Sequence, residues 1–288
     1  MFVQNPFNYT ASKDRILPSI AENMDYSKTT FVDLFCGSGV VGVNLSDKYD
    51  NIILNDGCQQ MIELLEYMNN NSTEDMLKEI FKYISRFHLS KDNKDGYLLA
   101  RDVYNKGKRT PMLLYCLITH AFSYNVVFNK DGGFSVPSGA GRSYFNPNLK
   151  RKFKEFCEKL HEHADKFSFE NNHITKSEVL TFNDNEYKDC MIYVDPPYLT
   201  SDGACSRSYG LRWSKEHDQR LRDFLDKVDK SGGSFAMSNA FTNNGNMNEE
   251  LMKWSEKYKV IHINCDYYNC HHQRKNIGKT DEVLIINY

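Results

Sequence analysis

Four consecutive residues, Asp195-Pro196-Pro197-Tyr198, concentrate chemistry in a way no other stretch of the chain does. They follow the apolar run 191–194, so a rigid turn is expected at the carboxyl end of a central strand, where open α/β sheets bind ligands. The two prolines remove two backbone donors and fix the chain path, which lets the Pro196 carbonyl and the Asp195 carboxylate face one donor group. Tyr198 adds a flat ring beside them. Two acceptors and a stacking face together suit an exocyclic amino group on a planar base.

A second constellation lies upstream. Gly37, Gly39 and Gly42 spell G-x-G-x-x-G after the apolar residues Phe31, Val32, Leu34 and Phe35, and Asp56 stands nineteen positions beyond Gly37. Glycines there allow the backbone to approach a ligand closely, and a carboxylate at the end of the second strand can accept both ribose hydroxyls. That chemistry serves any adenosine-bearing cofactor, NAD included, and a tight packing turn would select the same glycines. A nicotinamide dehydrogenase, however, has no use for the proline tetrad.

The elements that must position these residues alternate. Strand, glycine turn and helix are expected over 31–45, then a strand over 52–54 and a helix after Asp56, which makes a parallel pair with a right-handed crossover. Strands resume at 191–194, 234–237, 260–263 and 283–286, with helices over 214–228, capped by Ser214, and 246–257. Between them, 58–173 reads differently: helices over 75–87, 111–125 and 148–163, a hairpin signal at 126–136 around Asp131-Gly132-Gly133, and no parallel strand. The expected organisation is an α/β fold split into 1–57 and 174–288, with 58–173 as an inserted, mainly helical domain.

Composition sets the outer bounds. With 36 Lys+Arg against 38 Asp+Glu in 288 residues, a uniformly basic nucleic-acid binder is excluded. The balance is uneven, though: 101–154 holds ten basic residues and two acidic ones, a local excess of eight that leaves the rest ten negative. That window is a candidate polyanion surface, and equally a solvated charge run. No window approaches the roughly 20 apolar residues of a membrane span, and the start lacks the features of a signal peptide, so a cytoplasmic protein is expected. The eight cysteines then read as reduced core residues or free thiols. Cys265, Cys270, His271 and His272 lack a second cysteine pair at matching distance, so no metal site is expected.

Taken in order, these motifs resemble the Dam family of DNA adenine methyltransferases, phage members included. Asn8-Tyr9-Thr10-Ala11-Ser12-Lys13, with Ile16, Leu17 and Pro18, is similar to that family's N-terminal cofactor motif; Asp33-Leu34-Phe35-Cys36-Gly37-Ser38-Gly39 resembles its glycine motif, and Leu54-Asn55-Asp56 its ribose-binding strand end. Thr181-Phe182-Asn183-Asp184 resembles the strand end at the cofactor adenine, the tetrad follows, and Phe235 to Asn239 with the terminal EVLIINY completes the order.

The resemblance implies a Rossmann-like S-adenosylmethionine-dependent methyltransferase sheet with an inserted target-recognition domain. It places Tyr9 and Lys13 at the cofactor's outer side, Asp33, Phe35, Gly37 and Gly39 at its methionine end, Asp56 at the ribose, and Phe182 and Asp184 at the adenine, with S-adenosylhomocysteine as product. A solvated surface lysine is the alternative for Lys13. The tetrad would hold a flipped adenine, Asp195 and Pro196 accepting its amino hydrogens, Pro197 fixing the turn and Tyr198 stacking. The partner implied is duplex DNA, contacted by Phe122, Ser123, Asn129, Pro137 and Arg142, while Lys150, Arg151 and Lys152 would bind phosphates. Core packing (Phe122, Pro137) and phosphate contact (Arg142) are the alternatives. The resemblance points first to GATC as the target, but Val127 stands where relatives carry an Arg, so the recognition sequence is left open. No Pro-Cys pair occurs, which excludes carbon-5 cytosine methylation. Adenine in RNA, amino-group cytosine methylation and a DNA-binding regulator without turnover remain alternatives; a monomer with no required protein partner is expected, and a companion restriction enzyme is left open.

Overall fold

The computed structural model describes residues 1–8, 12–174, 186–199, 213–243, 245–263 and 280–288. Its centre is a single sheet. Strands β1 (Thr30–Asp33), β2 (Asn51–Asn55), β3 (Phe167–Glu170), β4 (Cys190–Val194), β5 (Ser234–Asn243), β6 (Asn246–Met247), β7 (Lys259–Ile263) and β8 (Asp281–Ile286) make up the sheet, in the order β3-β2-β1-β4-β5-β8-β7, with β6 paired to β5. The first five in that order run parallel, and β8 is antiparallel to both neighbours. This is the Rossmann-like α/β sheet expected from the alternation of elements.

β1 and β4 are apolar and buried on both sides because helices cover both faces. One face packs under α8 (Lys215–Lys230) and α9 (Glu249–Ser255), whose Leu221, Leu225, Val228 and Leu251 meet Val32, Ile192, Phe235, Val283 and Ile285. Ser214 caps α8 as expected, accepting from His217 N at 3.4 Å while the His217 ring accepts from Ser214 N at 3.2 Å. The other face packs under α1 (Leu17–Glu22), α2 (Val40–Leu45) and α3 (Gln59–Asn70), and beyond them lie α4 (Thr73–Phe87), α5 (Lys94–Asn105), α6 (Pro111–His120) and α7 (Pro147–His161). α6 is buried from Met112 to His120, as its apolar circumference requires, and the other helices of this group surround it.

Several expectations are corrected. β3 lies inside 58–173 yet pairs in parallel with β2, Ile52 opposite Phe167 through Asn55 opposite Glu170, so that stretch does contribute to the sheet. Its Phe-Ser-Phe-Glu pattern is too short for an alternation to show. The helices of the insertion have no core of their own: residues of α3 to α7 form one continuous apolar cluster with Met191, Tyr193, Leu284 and Ile286 of the sheet. The helix expected over 111–125 stops at His120, because Ala121 turns to extended backbone at φ −75° and ψ 155°; Ser123 and Tyr124 beyond it are left-handed at φ 53° and 54°. The hairpin narrows to a single bridge between Phe128 and Phe134. α5 was not anticipated; its narrow buried stripe of Tyr97, Ala100 and Tyr104 is the signal that would have found it. The helix expected over 246–257 starts at Glu249, since Asn248 caps it and Asn246–Met247 pairs with β5. Cys36, Cys58, Cys116, Cys157 and Cys190 are buried free thiols.

Two glycines of the upstream motif have distinct tasks. Gly39, at φ 72°, makes the left-handed turn from β1 into α2. Gly42 brings α2 so close to β2 that a Cβ there would overlap a Leu54 methyl group. Gly42→Val is therefore expected to destabilise the protein by about 1–3 kcal/mol, the usual cost of overpacking a core, read as a lowered urea midpoint at constant m.

Candidate active site

The carboxyl ends of β1, β2 and β4 are neighbours, so Asp33, Asp56 and Asp195, distant in sequence, share one region. Asp33 is buried at 1% exposure, and its Oδ2 accepts from Gly42 N at 3.2 Å, a carboxylate bond to the first turn of α2 where the N-cap, Gly39, has no side chain to offer. Burial pushes its carboxyl up to about 8; the Gly42 bond opposes the shift, and the charges of Asp195 and Asp56 add to it. Asp56 is also buried and pushed up to about 6 by burial, against two backbone bonds: Cys58 N to Oδ1 at 2.8 Å and Gly37 N to Oδ2 at 2.9 Å. Asp56 thus ties the glycine turn to its own strand end, and each oxygen keeps a lone pair for a further donor.

At the end of β4, Asp195 is raised by burial and drawn back by Lys13. Lys13 Nζ lies 2.8 Å from Asp195 Oδ2, with side-chain exposures of 13% and 17%. Lys13 is therefore not a solvated surface lysine, because it pairs with the first residue of the tetrad. Its ammonium also lies 5.3 Å from the centre of the Tyr198 ring. The Tyr198 hydroxyl lies 3.2 Å from Asp195 Oδ1 and 3.4 Å from Glu282 Oε1. Pro196 is buried behind them and Pro197 is part-exposed. Glu282, at 3% exposure on β8, was not singled out by motif reasoning.

The exit of β3 completes the region. Asn55, buried, donates from Nδ2 to Leu34 O at 2.9 Å and to Asn172 O at 3.1 Å, and accepts from Asn172 N at 2.9 Å. Asn171 Nδ2 donates to Asp56 O at 2.8 Å, and His173 packs against Gly57. Asn171, Asn172 and His173 therefore stand beside Asp56, with Phe35 edge-on to Trp213 at 5.7 Å just beyond the end of β1. Sequence reading missed this trio because it missed β3. Tyr9, Phe182 and Asp184 lie outside the described residues, as do Cys265, Cys270, His271 and His272. Among the described residues no group of His, Cys, Asp and Glu has metal-binding geometry, and no helix is long and apolar enough to cross a membrane.

Comparison with known proteins gives this geometry a family. Residues 9–268 match the model for the D12 class N6 adenine-specific DNA methyltransferases. The chain belongs to that family. It is 35% identical over 289 residues to the type II methyltransferase M.FokI of Planomicrobium okeanokoites, and 31% identical over 293 residues to the modification methylase StsI of Streptococcus sanguinis. The modification methylase LlaI of Lactococcus lactis subsp. lactis is 28% identical over 294 residues. Each alignment takes in 99–100% of this chain but 43% of the relative, so the chain spans less than half the length of the curated relatives it matches.

Within this D12-class chain, four residues expected at DNA converge on one edge. Phe122 N donates to Pro137 O at 2.9 Å, Ala121 bridges Ser138, and Arg142 N donates to Gly139 O at 2.9 Å. Phe122, Ser123, Pro137 and Arg142 are all exposed there. Asn129, also exposed, serves as a turn residue, its Oδ1 accepting from Asp131 N at 3.0 Å and Gly133 N at 2.7 Å. The basic window is partly structural. Arg151 pairs with Glu155 at 2.6 Å, Lys152 donates to Asn8 Oδ1 at 2.8 Å, and Arg101 and Arg109 donate to the main-chain oxygens of Val136 and Asp131. Lys150 extends over the ring of Phe81, its ammonium 5.2 Å from the ring centre.

Asp33 has a measurable consequence. In the folded protein its proton is held up to about pH 8, whereas the unfolded carboxyl releases it near 3.8. The associated stability is complete below about pH 4 and is lost as pH rises through about 8. Asp33→Asn does not titrate, so urea unfolding across that range should show a flatter decline than the wild type; an unchanged slope would contradict the assignment.

Proposed function

We propose that the protein transfers a methyl group from S-adenosylmethionine to the exocyclic amino group of adenine in duplex DNA, as a site-specific modification enzyme. The observation that carries this reading is the placement of Asp195-Pro196-Pro197-Tyr198 at the end of β4, beside the buried Asp33 and Asp56 of β1 and β2. Relatives named as modification methylases support the same class.

The residues present fit the cofactor's charge. Asp33 and Asp56 are held up by burial, and a ligand bearing an ammonium and a sulfonium supplies the positive charge that favours their ionised forms. In this reading Asp33 pairs with the α-ammonium group, Asp56 accepts from the ribose hydroxyls, and Asn171 to His173 with Phe35 flank the adenine. Phe182 and Asp184 keep the adenine role that the family resemblance implies. The cofactor contributes a methyl group already activated by its sulfonium.

The protein's own part is positioning. The amino nitrogen of adenine is a poor nucleophile because its lone pair is delocalised into the ring. Bonds from its two hydrogens to the Asp195 carboxylate and the Pro196 carbonyl favour a more tetrahedral nitrogen, and Tyr198 stacks on the ring of the flipped base. For Asp195 to accept, Lys13 must yield or share Oδ2. Residues between β2 and β3 then serve as the target-recognition region, with Phe122, Ser123, Pro137 and Arg142 forming the edge that meets DNA.

Two measurements test this. Incubation with labelled S-adenosylmethionine and mixed-sequence duplex DNA should give N6-methyladenine, with Asp195→Ala reducing the rate at least about 1,000-fold; label on cytosine, on structured RNA alone, or on nothing would overturn the reading. Cofactor binding at pH 7 should also release protons, because the cationic ligand lowers Asp33. Calorimetry in two buffers of different ionisation enthalpy reads that release, and Asp33→Asn should reduce it.

A further inference from the structure

We infer that Glu282 is a positioning residue for the methyl transfer: it takes over the Tyr198 hydroxyl proton when the target amino group claims Asp195. The inference rests on the proposed adenine chemistry and adds a residue to it. Tyr198 has one hydroxyl proton, and two carboxylates stand within reach of it, Asp195 Oδ1 at 3.2 Å and Glu282 Oε1 at 3.4 Å. An ionised carboxylate accepts only, so the single proton serves one of them at a time. A phenol O–H lies close to its ring plane, and turning about the C–O bond carries it from one acceptor to the other without moving the ring.

Accepting an adenine amino group changes the demands on Asp195. Its Oδ2 pairs with Lys13 and its Oδ1 faces Tyr198. Once an adenine amino group must be accepted, the tyrosine proton competes with it for the same carboxylate. Glu282 removes that competition. It can do so because it is held rigidly: β8 lies between β5 and β7, with Glu282 opposite Ala240 on one side and Ile263 on the other, and the side chain is 3% exposed. Its strand alternation puts it on the sheet face of Tyr193 and Leu284, the face from which Lys13 approaches Asp195. Glu282 precedes the apolar residues Val283 to Ile286 of β8, and its carboxylate lies within reach of the Tyr198 hydroxyl. The hydroxyl bond to Glu282 also holds the Tyr198 ring in the orientation that stacking on a base needs.

The test is a set of single-turnover methylation rates on a duplex the wild type modifies, paired with the fluorescence of 2-aminopurine at the target position, which reports stacking of the flipped base. Glu282→Leu should lower the methylation rate about 10- to 100-fold, the effect of losing one hydrogen bond to a charged group, with KM for DNA and cofactor affinity little changed. Glu282→Gln, which keeps a carbonyl acceptor at the same reach, should recover most of that rate. Tyr198→Phe should lose a similar factor, and adding Glu282→Leu to it should cost little more. Should Glu282→Leu fail to fold, Glu282→Asp withdraws the acceptor by about 1.5 Å, one carbon–carbon bond, and should show the same rate loss and the same silence beside Tyr198→Phe. A wild-type rate in Glu282→Leu or Glu282→Asp, or losses that multiply in full with that of Tyr198→Phe, would overturn the inference. Wild-type protein that methylates no adenine would instead overturn the proposed function, so the two failures are distinguishable.

Discussion

Three carboxylates crowded at the carboxyl ends of adjacent parallel strands are the constraint around which this molecule is arranged. A parallel sheet sends all its strand ends the same way, so Asp33, Asp56 and Asp195 meet although the chain separates them widely. Burial disfavours their charged forms, and their mutual repulsion adds to the cost at Asp33. Backbone donors from the glycine turn and α2 offset part of it, and Lys13 offsets more. The glycines are thus as much anion partners for the protein's own side chains as they are a clearance for a ligand.

Lys13 reaches Asp195 because the helical insertion holds the N-terminal segment in place. Phe7 is fully buried against Tyr115 of α6, whose hydroxyl donates to Pro6 O at 2.9 Å, and Lys152 of α7 donates to Asn8. Asn44 of α2 exchanges bonds with Val3, and Asp14 accepts from Asn5 N. Part of the basic excess in the insertion therefore works inward, bracing the segment that carries Lys13. The continuous core shared by insertion and sheet has the same consequence: the edge around Phe122 and the strand ends that carry the three carboxylates belong to one packed body.

The antiparallel strand β8 gives the site its least obvious member. Inserted between β5 and β7, it brings the first residues of the terminal strand next to the tetrad, so a chain end far from Asp195 in sequence supplies a carboxylate to Tyr198. Tyr198 is consequently held from two sides, by its own tetrad and by β8.

The sequence by itself determined the α/β alternation, the glycine turn into α2 and the cap at Ser214, because each depends on a few contiguous residues whose backbone preferences or donor sets are local. It also named Asp56, through the spacing that a strand–turn–helix unit imposes, and Asp33, through the family resemblance. Tertiary structure alone decided the rest. β3 is a four-residue strand whose identity comes from its pairing with β2 rather than from any pattern of its own. The Lys13–Asp195 pair, the bond from Lys152 to Asn8, and the approach of Glu282 to Tyr198 depend on which side chains the fold sets side by side. A charged side chain states which partners it can take, but only the packed fold determines which of them lies within reach.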